Sequence, residues 1–329
     1  MAILRCNTCS HMREVRNDYI GKSVSCPKCK NSTPIHDTVI FVEKVIEKYH
    51  SVSNRLRQIE KQTQTQLISS KLPEKPTLPA DVDIFNTTAM TQKKEYEPIL
   101  QWFKQKKIQL NINHKALDTT GFFDEIALAL GEKYDVLKEI TDRIKRTQNN
   151  NYTSVTLNLS KHSQKDTKTI ISFCEELYEY AFVSKYFYKK KDKRVHLTLQ
   201  TIPGIINFFN GEWLEWFVFM KILTHFHEKK VQYACLRSFK INFPNEDIHE
   251  LDVFFINQNN IPVYIECKSG EFRSEIDKYI RLRKRLSINP KHFLILVLGL
   301  SDKQAQGLSS MYDMTFVNEH NFMAHLPLE

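Results

Sequence analysis

Glycine is scarce in this 329-residue chain, which holds only 8. No stretch reads G-x-x-x-x-G-K-[ST] or G-x-G-x-x-G, so neither phosphate-cradling loop has the residues it needs, and ATPase and dinucleotide chemistry are disfavoured. Long apolar runs are missing as well. No window approaches the roughly 18 residues of a membrane span, and the opening Met1-Ala2-Ile3-Leu4-Arg5-Cys6 lacks the apolar run of a secretion signal. The expectation is a soluble, cytoplasmic protein with no membrane partner. Acids are in deficit, 38 Asp and Glu against 47 Lys and Arg, and the net charge of +9 suits a polyanionic partner, DNA first and RNA second. The 41% hydrophobic content is ample for buried cores, and the length allows two or three domains.

Four of the seven cysteines fall in the first 29 residues as Cys6-x2-Cys9 and Cys26-x2-Cys29, with 16 residues between the pairs. Each C-x2-C can turn two thiolates toward one point, and two such knuckles close a tetrahedral four-thiolate shell around structural zinc. Disulfides are the competing reading; a basic chain in a reducing compartment argues against them. Four thiolates leave no open position for catalysis. The segment resembles the small zinc ribbons that open many bacterial regulatory proteins, which implies a binding or scaffolding role for residues 1–38.

Over residues 39–70, Val42, Val45, Tyr49, Val52, Leu56 and Ile59 recur at steps of three and four, predicting a helix with a narrow apolar seam. The seam could zip against a second copy or lie on a globular body. Residues 71–94, with Pro73, Pro76 and Pro79, read as an extended linker. From 95 to 204 the spacing of Ile99, Leu100, Phe103, Phe123, Ile126, Leu130, Leu137, Ile140 and Ile144 is helical. A strand (152–159), a helix (167–180) and a hairpin follow, the hairpin bearing Lys189-Lys190-Lys191-Asp192-Lys193-Arg194 at its tip. Helices followed by such a hairpin resemble a winged-helix module. Lys190, Lys191 and Lys193 could then rest on phosphates, or form a solvated turn that blocks edge pairing.

The last third, 205–329, carries the chemistry. Asn210-Gly211-Glu212-Trp213-Leu214-Glu215 opens a dense apolar helix, with Asn210 placed to cap it and Glu212 placed to favour its dipole. Glu215, among Trp213, Leu214, Trp216 and Phe217, needs a partner. Leu251–Ile256 and Ile261–Lys268 read as a hairpin around Asn257-Gln258-Asn259-Asn260. Pairing 253 with 265 and 255 with 263 sets Leu251, Val253, Phe255, Val263, Ile265 and Cys267 on one apolar face. Asp252, Glu266 and Lys268 then share the other. Two carboxylates suit Mg²⁺ or Mn²⁺, and the lysine can orient water or offset phosphoryl charge. On the following helix Lys278, Arg281 and Arg285 share a stripe that could face phosphates or only solvent. His225, His227 and His249 do not converge on a metal and read as structural.

An acidic helix, the Asp/Glu-x-Lys hairpin, a helix from about 273 to 286 and the strand Phe293–Leu298 give the order α-β-β-α-β. That order resembles the core of the PD-(D/E)xK restriction-endonuclease-like superfamily. More narrowly, Gly211-Glu212-Trp213-Leu214-Glu215, Glu250-Leu251-Asp252-Val253 and Ile265-Glu266-Cys267-Lys268-Ser269-Gly270 resemble the nuclease domain of type III CRISPR accessory nucleases. The resemblance implies metal-site carboxylates at Glu215, Asp252 and Glu266, a catalytic Lys268, a paired homodimer and a place in antiphage defence. Those nucleases carry a ligand-sensing Rossmann-like domain ahead of the core, a position that a ribbon, a helix and a helical region occupy in this chain. The expected fold is thus α/β: an N-terminal zinc ribbon, a helical linker, a helical, winged-helix-like middle domain and a restriction-endonuclease-like core. The expected function is Mg²⁺- or Mn²⁺-dependent DNA endonuclease. The alternative is a nucleic-acid-binding or assembly protein with an inert nuclease-like core.

Overall fold

The computed structural model describes residues 2–6, 8–9, 11–39, 42, 93–117, 122–244 and 247–328. The chain divides into two compact units, Met1–Lys75 and Pro76–Glu329. The expected seam helix from Val45 onward and the expected 71–94 linker, up to residue 92, lie outside the described residues.

The first unit is a small four-stranded sheet, β1 (Ala2–Arg5), β2 (Met12–Val15), β3 (Ser23–Ser25) and β4 (Ser32–Asp37), in the order β2-β1-β4-β3 with every pair antiparallel. Alternation buries Ala2, Leu4 and Ile35, with Val15 and Val24 packed on them. Among the described residues of this unit, these five apolar side chains are too few to offset the chain entropy of residues 2–39, which need another source of stability.

The second unit is built on a six-stranded sheet of β5 (Gln109–Asn111), β9 (Tyr233–Asn242), β10 (Ile248–Asn257), β11 (Pro262–Lys268), β12 (Phe293–Val297) and β13 (Thr315–Val317). Their order is β13-β12-β11-β10-β9-β5, antiparallel from β5 to β11 and parallel from β11 to β13. The β10–β11 hairpin holds the register that alternation dictates, Val253 opposite Ile265 and Phe255 opposite Val263. Its turn is closed by Asn257, whose Oδ1 accepts the amides of Asn259 and Ile261. Asn260 takes the left-handed conformation there, which asparagine tolerates.

Consecutive strand residues face opposite sides. Phe254 packs against Trp102 and Phe103 of α1 (Lys93–Gln105), at ring distances of 5.2 and 5.0 Å. Phe255 packs against Phe226 of α6 (Trp213–Lys229), at 5.5 Å. Helices therefore cover both faces, which is why residues 253–257 of β10 and 263–266 of β11 are buried without a break.

Two expectations need correction. The core order has a third antiparallel strand, α-β-β-β-α-β, because β9 precedes the hairpin; α7 (Ile276–Leu286) and β12 then follow. A border at 204/205 does not separate two cores. Helix α1 and strand β5 belong to the large sheet, and one apolar core runs from Tyr96 to Leu326. It passes through α2 (Phe123–Glu132), α3 (Tyr134–Asn149), α4 (Gln164–Glu179) and α5 (Pro203–Asn207). Phe123 and Phe182 both touch Phe208, at 5.5 and 5.2 Å, and Tyr134 stacks on Trp213. Gly131 lets α2 approach α6: a Cβ there would meet the Phe217 ring at 2.3 Å. Helix α8 (Asp302–Met311), started by a Ser301–Gln304 capping box, leads into β13.

A second, three-stranded antiparallel sheet, β6 (Ser154–Asn158), β7 (Val183–Lys189) and β8 (Arg194–Leu199), has the order β6-β8-β7. Val155, Leu157, Val195, Leu197 and Leu199 point into the core, and the alternate residues of all three strands face outward.

Asp124, in the first turn of α2, is fully buried and neither of its oxygens has a hydrogen-bond partner. Burial pushes its carboxyl up to about 6. The folded state therefore holds this proton more tightly than the unfolded chain does, and stability is lost as pH rises from about 4 to about 6. Asp124→Asn is expected to stabilise the protein by about 2 kcal/mol at pH 8 and by nothing near pH 4. Paired urea melts at the two pH values check it.

Candidate active site

The chain approaches the site through α5, with Pro203 in its first turn, and a single wide turn, Phe208–Glu212, that runs directly into α6. Asn210 is therefore not a side-chain cap. Its carbonyl instead accepts Lys145 Nζ at 3.0 Å and Ser269 Oγ at 3.5 Å, tying this turn to α3 and to the loop after β11. Gly211 makes the approach close, since a Cβ there would stand 3.1 Å from Ser269 Oγ. Glu215 projects from the first turn of α6 and is paired with Arg237 of β9 at 3.2 Å. Arg237 is buried, donates to the Ala116 carbonyl at 2.9 Å and stacks 3.9 Å from the Trp216 ring. This is the partner that Glu215 requires. Burial still pushes Glu215 up to about 7, against the pull of Arg237.

Asp252, Glu266 and Lys268 come together at the end of the hairpin away from its turn. Asp252 Oδ2 accepts the Cys267 amide at 2.7 Å. Glu266, only 6% exposed, accepts Lys268 Nζ at 2.9 Å on one oxygen and the Tyr264 hydroxyl on the other. Lys268 also reaches Glu275 at 3.4 Å, which in turn accepts the hydroxyl of Tyr279. Burial, then Glu266, then Glu215 push the Asp252 carboxyl well above its usual range, while the Cys267 amide and Lys268 pull it back. Burial alone would lower the Lys268 ammonium, but Glu266, Asp252 and Glu275 override it and push it up, so Lys268 is a cation at neutral pH and a poor general base. Glu212, half-buried beside Arg237, is also pushed up by burial and extends the acidic group.

Glu215 stays outside the Asp252–Glu266 pair in one respect. Among the described residues, no three of these carboxylates hold oxygens within 4.8 Å of one another. Each has found a protein partner, Arg237, the Cys267 amide or Lys268 with Tyr264. A donor set of carboxylate oxygens suits a hard divalent cation. Burial raises Asp252 most and repulsion by Glu266 and Glu215 adds to it; a dication relieves that repulsion, so the residues fit the ion.

Two groups of described residues do have three or more ligand atoms within 4.8 Å of one another. One is Cys6, Cys9, Cys26 and Cys29, which could bind zinc. Its sulfur distances, 3.4 Å for Cys6–Cys29 and 3.7 Å for Cys9–Cys26, approach the edges of about 3.8 Å of a tetrahedron with 2.3 Å Zn–S bonds, and exceed a disulfide's length. Backbone amides of Cys9 and Thr8 lower the Cys6 thiol to about 6. The Cys29 thiol, despite the Asn31 amide, is raised to about 12, chiefly by its neighbour Cys6. The second group, Asp135, Glu319 and His320, could also hold an ion. His320 Nε2 lies 3.6 Å from Asp135 and 3.5 Å from Glu319.

The expected phosphate contacts are placed unevenly. Lys278 and Arg281 are exposed on α7. Arg285 is engaged by Asp247 at 2.7 Å and lies 3.6 Å from the Phe243 ring, so it is not free for phosphate as the helical stripe implied. Lys190, Lys191 and Lys193 are exposed at the β7–β8 turn. Sequence reasoning passed over Arg237, Tyr264, Glu275 and Tyr279. A buried arginine within an apolar strand was the available signal for Arg237. The aromatic hydroxyls gave none, since apolar alternation does not show which tyrosine meets a carboxylate.

No described protein family matches the chain, and no curated protein matches it. Among solved structures it is similar to protein VC1899 from Vibrio cholerae, with a TM-score of 0.46 and 16% identity over 69% of this chain and 59% of that one. It is similar also to Can2 from Sulfobacillus thermosulfidooxidans, solved in complex with cyclic tetra-adenylate, with a TM-score of 0.46 and 14% identity over 69% of this chain and 58% of that one. The chain thus spans less than three fifths of either protein. No helix of the described residues is long and apolar enough to cross a membrane.

Proposed function

We propose that the chain is a metal-dependent endonuclease, acting on DNA before RNA, with the Asp252–Glu266–Lys268 group as its active site. The observation that carries this reading is the crowding of buried acids around one lysine at the end of an antiparallel hairpin, a cost in stability that a purely structural site would not retain. Asp252 and Glu266 would hold Mg²⁺ or Mn²⁺, which when bound supplies Lewis-acid stabilisation of charge on the phosphoryl group. Tyr264 fixes the Glu266 carboxylate. Glu266 and Glu275 hold Lys268 Nζ in place, where it orients the attacking water and offsets charge on the phosphate oxygens. Arg237 holds Glu215 beside the pair. The cysteine cluster takes structural zinc. Lys278, Arg281 and the lysines of the β7–β8 turn serve the phosphate backbone. A homodimer would pair two such sites, as the resemblance to antiphage nucleases implies.

The test is incubation with supercoiled plasmid, linear duplex, single-stranded DNA and RNA, each with Mn²⁺, with Mg²⁺ and in EDTA. Cleavage of DNA that requires the metal is the expected result. Cleavage unchanged in EDTA would remove the carboxylate pair from the mechanism, and four intact substrates would leave a binding or assembly protein with an inert core.

A further inference from the structure

The outward face of the three-stranded sheet has no role in the chemistry above, yet its composition is one-sided. The cross-strand rows place Lys189 beside Arg194, Phe187 beside His196 and Lys185 beside Thr198, and all six point away from the core. On β6 the outward positions are Ser154, Thr156 and Asn158, all exposed. The outward positions of these strands hold no acid. Lys185, Lys189 and Arg194 are exposed, and none forms an ion pair among the described residues. Phe187 stands at such a position and is 57% exposed, and Tyr152, two residues before β6, is 70% exposed. From strand spacing and rise, Phe187 lies about 12 Å across the face from Ser154, the end of β6 that Tyr152 precedes, about the span of two nucleotides of extended single strand.

We infer that this face is a single-stranded nucleic-acid platform, with Phe187 and Tyr152 stacking on unpaired bases and Lys185, Lys189 and Arg194 meeting phosphates. Each half of the composition needs the other. Exposed aromatic rings on a sheet surface cost hydration unless a flat partner covers them, and bases supply a π-face whatever their sequence. Phosphates supply the charge that a patch without acids lacks. A duplex would satisfy the cations but hides its base faces, so the aromatic pair selects the single strand. An acidic protein surface would likewise satisfy only the cations. The inference stands apart from the nuclease reading, since binding on this face needs neither Asp252 nor a metal.

Fluorescence anisotropy of the full-length protein with fluorescein-labelled 20-mer oligo-dT and oligo-U, in EDTA, tests it. Phe187→Ala and Tyr152→Ala are each expected to weaken single-strand binding about tenfold, with Phe187→Trp retaining it and duplex affinity unchanged. Lys185→Ala and Arg194→Ala should each reduce the slope of log K against log salt by about 0.7, one phosphate contact apiece. All of these positions are exposed, so melting temperatures should not move. Single-strand affinity that is indifferent to Phe187→Ala, or polyglutamate that competes as well as oligo-dT, would overturn the platform. Loss of metal-dependent cleavage elsewhere would leave it standing.

Discussion

Glu266→Ala and Asp252→Ala are each expected to lower metal-dependent phosphodiester cleavage by on the order of a hundredfold or more, with binding of uncut nucleic acid nearly intact. In the proposed mechanism both carboxylates would hold the ion whose charge favours the transition state over the ground-state complex, so the loss should fall on turnover. Lys268→Ala should give a loss of the same order. Glu215→Ala should cost less, and more at low metal, because Arg237 holds that carboxylate outside the central pair. The fold should survive. Asp252 carries a carboxyl that burial disfavours, so replacing it removes a cost. When Glu266 is removed, Lys268 keeps Glu275 at 3.4 Å as a partner. Initial rates against supercoiled plasmid, alongside circular-dichroism melts, separate the two effects. Wild-type turnover by Glu266→Ala would place the active site elsewhere, whatever the fate of Asp252.

Legibility of this site in the sequence followed the range of the interactions. The β10–β11 hairpin is local, and its alternation dictates the register that sets Asp252 across from Glu266. Strand β9 hid because buried Arg237 and the left-handed Ser238 interrupt its alternation midway, so its apolar residues do not fall at every second position. The same arginine is the partner that Glu215 needed, and it arrives from 22 residues away along the chain. Strand β5 lies farther still. Gln109–Asn111 pairs with residues 240–242 across the whole three-stranded unit, which is why a border near 204 looked natural and is absent from the core. The stripe on α7 read correctly as helical spacing, but spacing cannot show that Asp247, on another element, occupies Arg285. Arg237, β5 and Arg285 escaped because their partners lie far away along the chain.

The largest effect is expected at the other end of the chain. Purified protein should carry about one zinc per molecule, and Cys26→Ala should abolish it together with the fold of the first unit. The apolar residues that the four strands there bury fully are Ala2, Leu4 and Ile35, with Val15 and Val24 in support, which leaves these strands little apolar area to set against chain entropy. The backbone nonetheless gathers the four thiols: the Cys6 amide bonds to the His11 carbonyl and the Cys26 amide to the Asn31 carbonyl, so each C-x2-C pair is bent into a knuckle at a hairpin turn. Four thiols so close cannot all ionise unaided, as the opposite displacements of Cys6 and Cys29 show, whereas a dication accepts all four as thiolates. Binding free energy of this kind, about 10–16 kcal/mol in structural zinc modules near pH 7, is then the folding free energy of the unit. Elemental analysis of the undamaged full-length protein and limited proteolysis with and without a strong chelator read it out. Cleavage within residues 1–39 should appear when zinc is stripped and disappear when it is restored, while the sheet carrying Asp252 and Glu266 keeps its melting temperature. Protein that is free of zinc yet resists proteolysis in that segment would show that the cysteines hold the unit together without a metal.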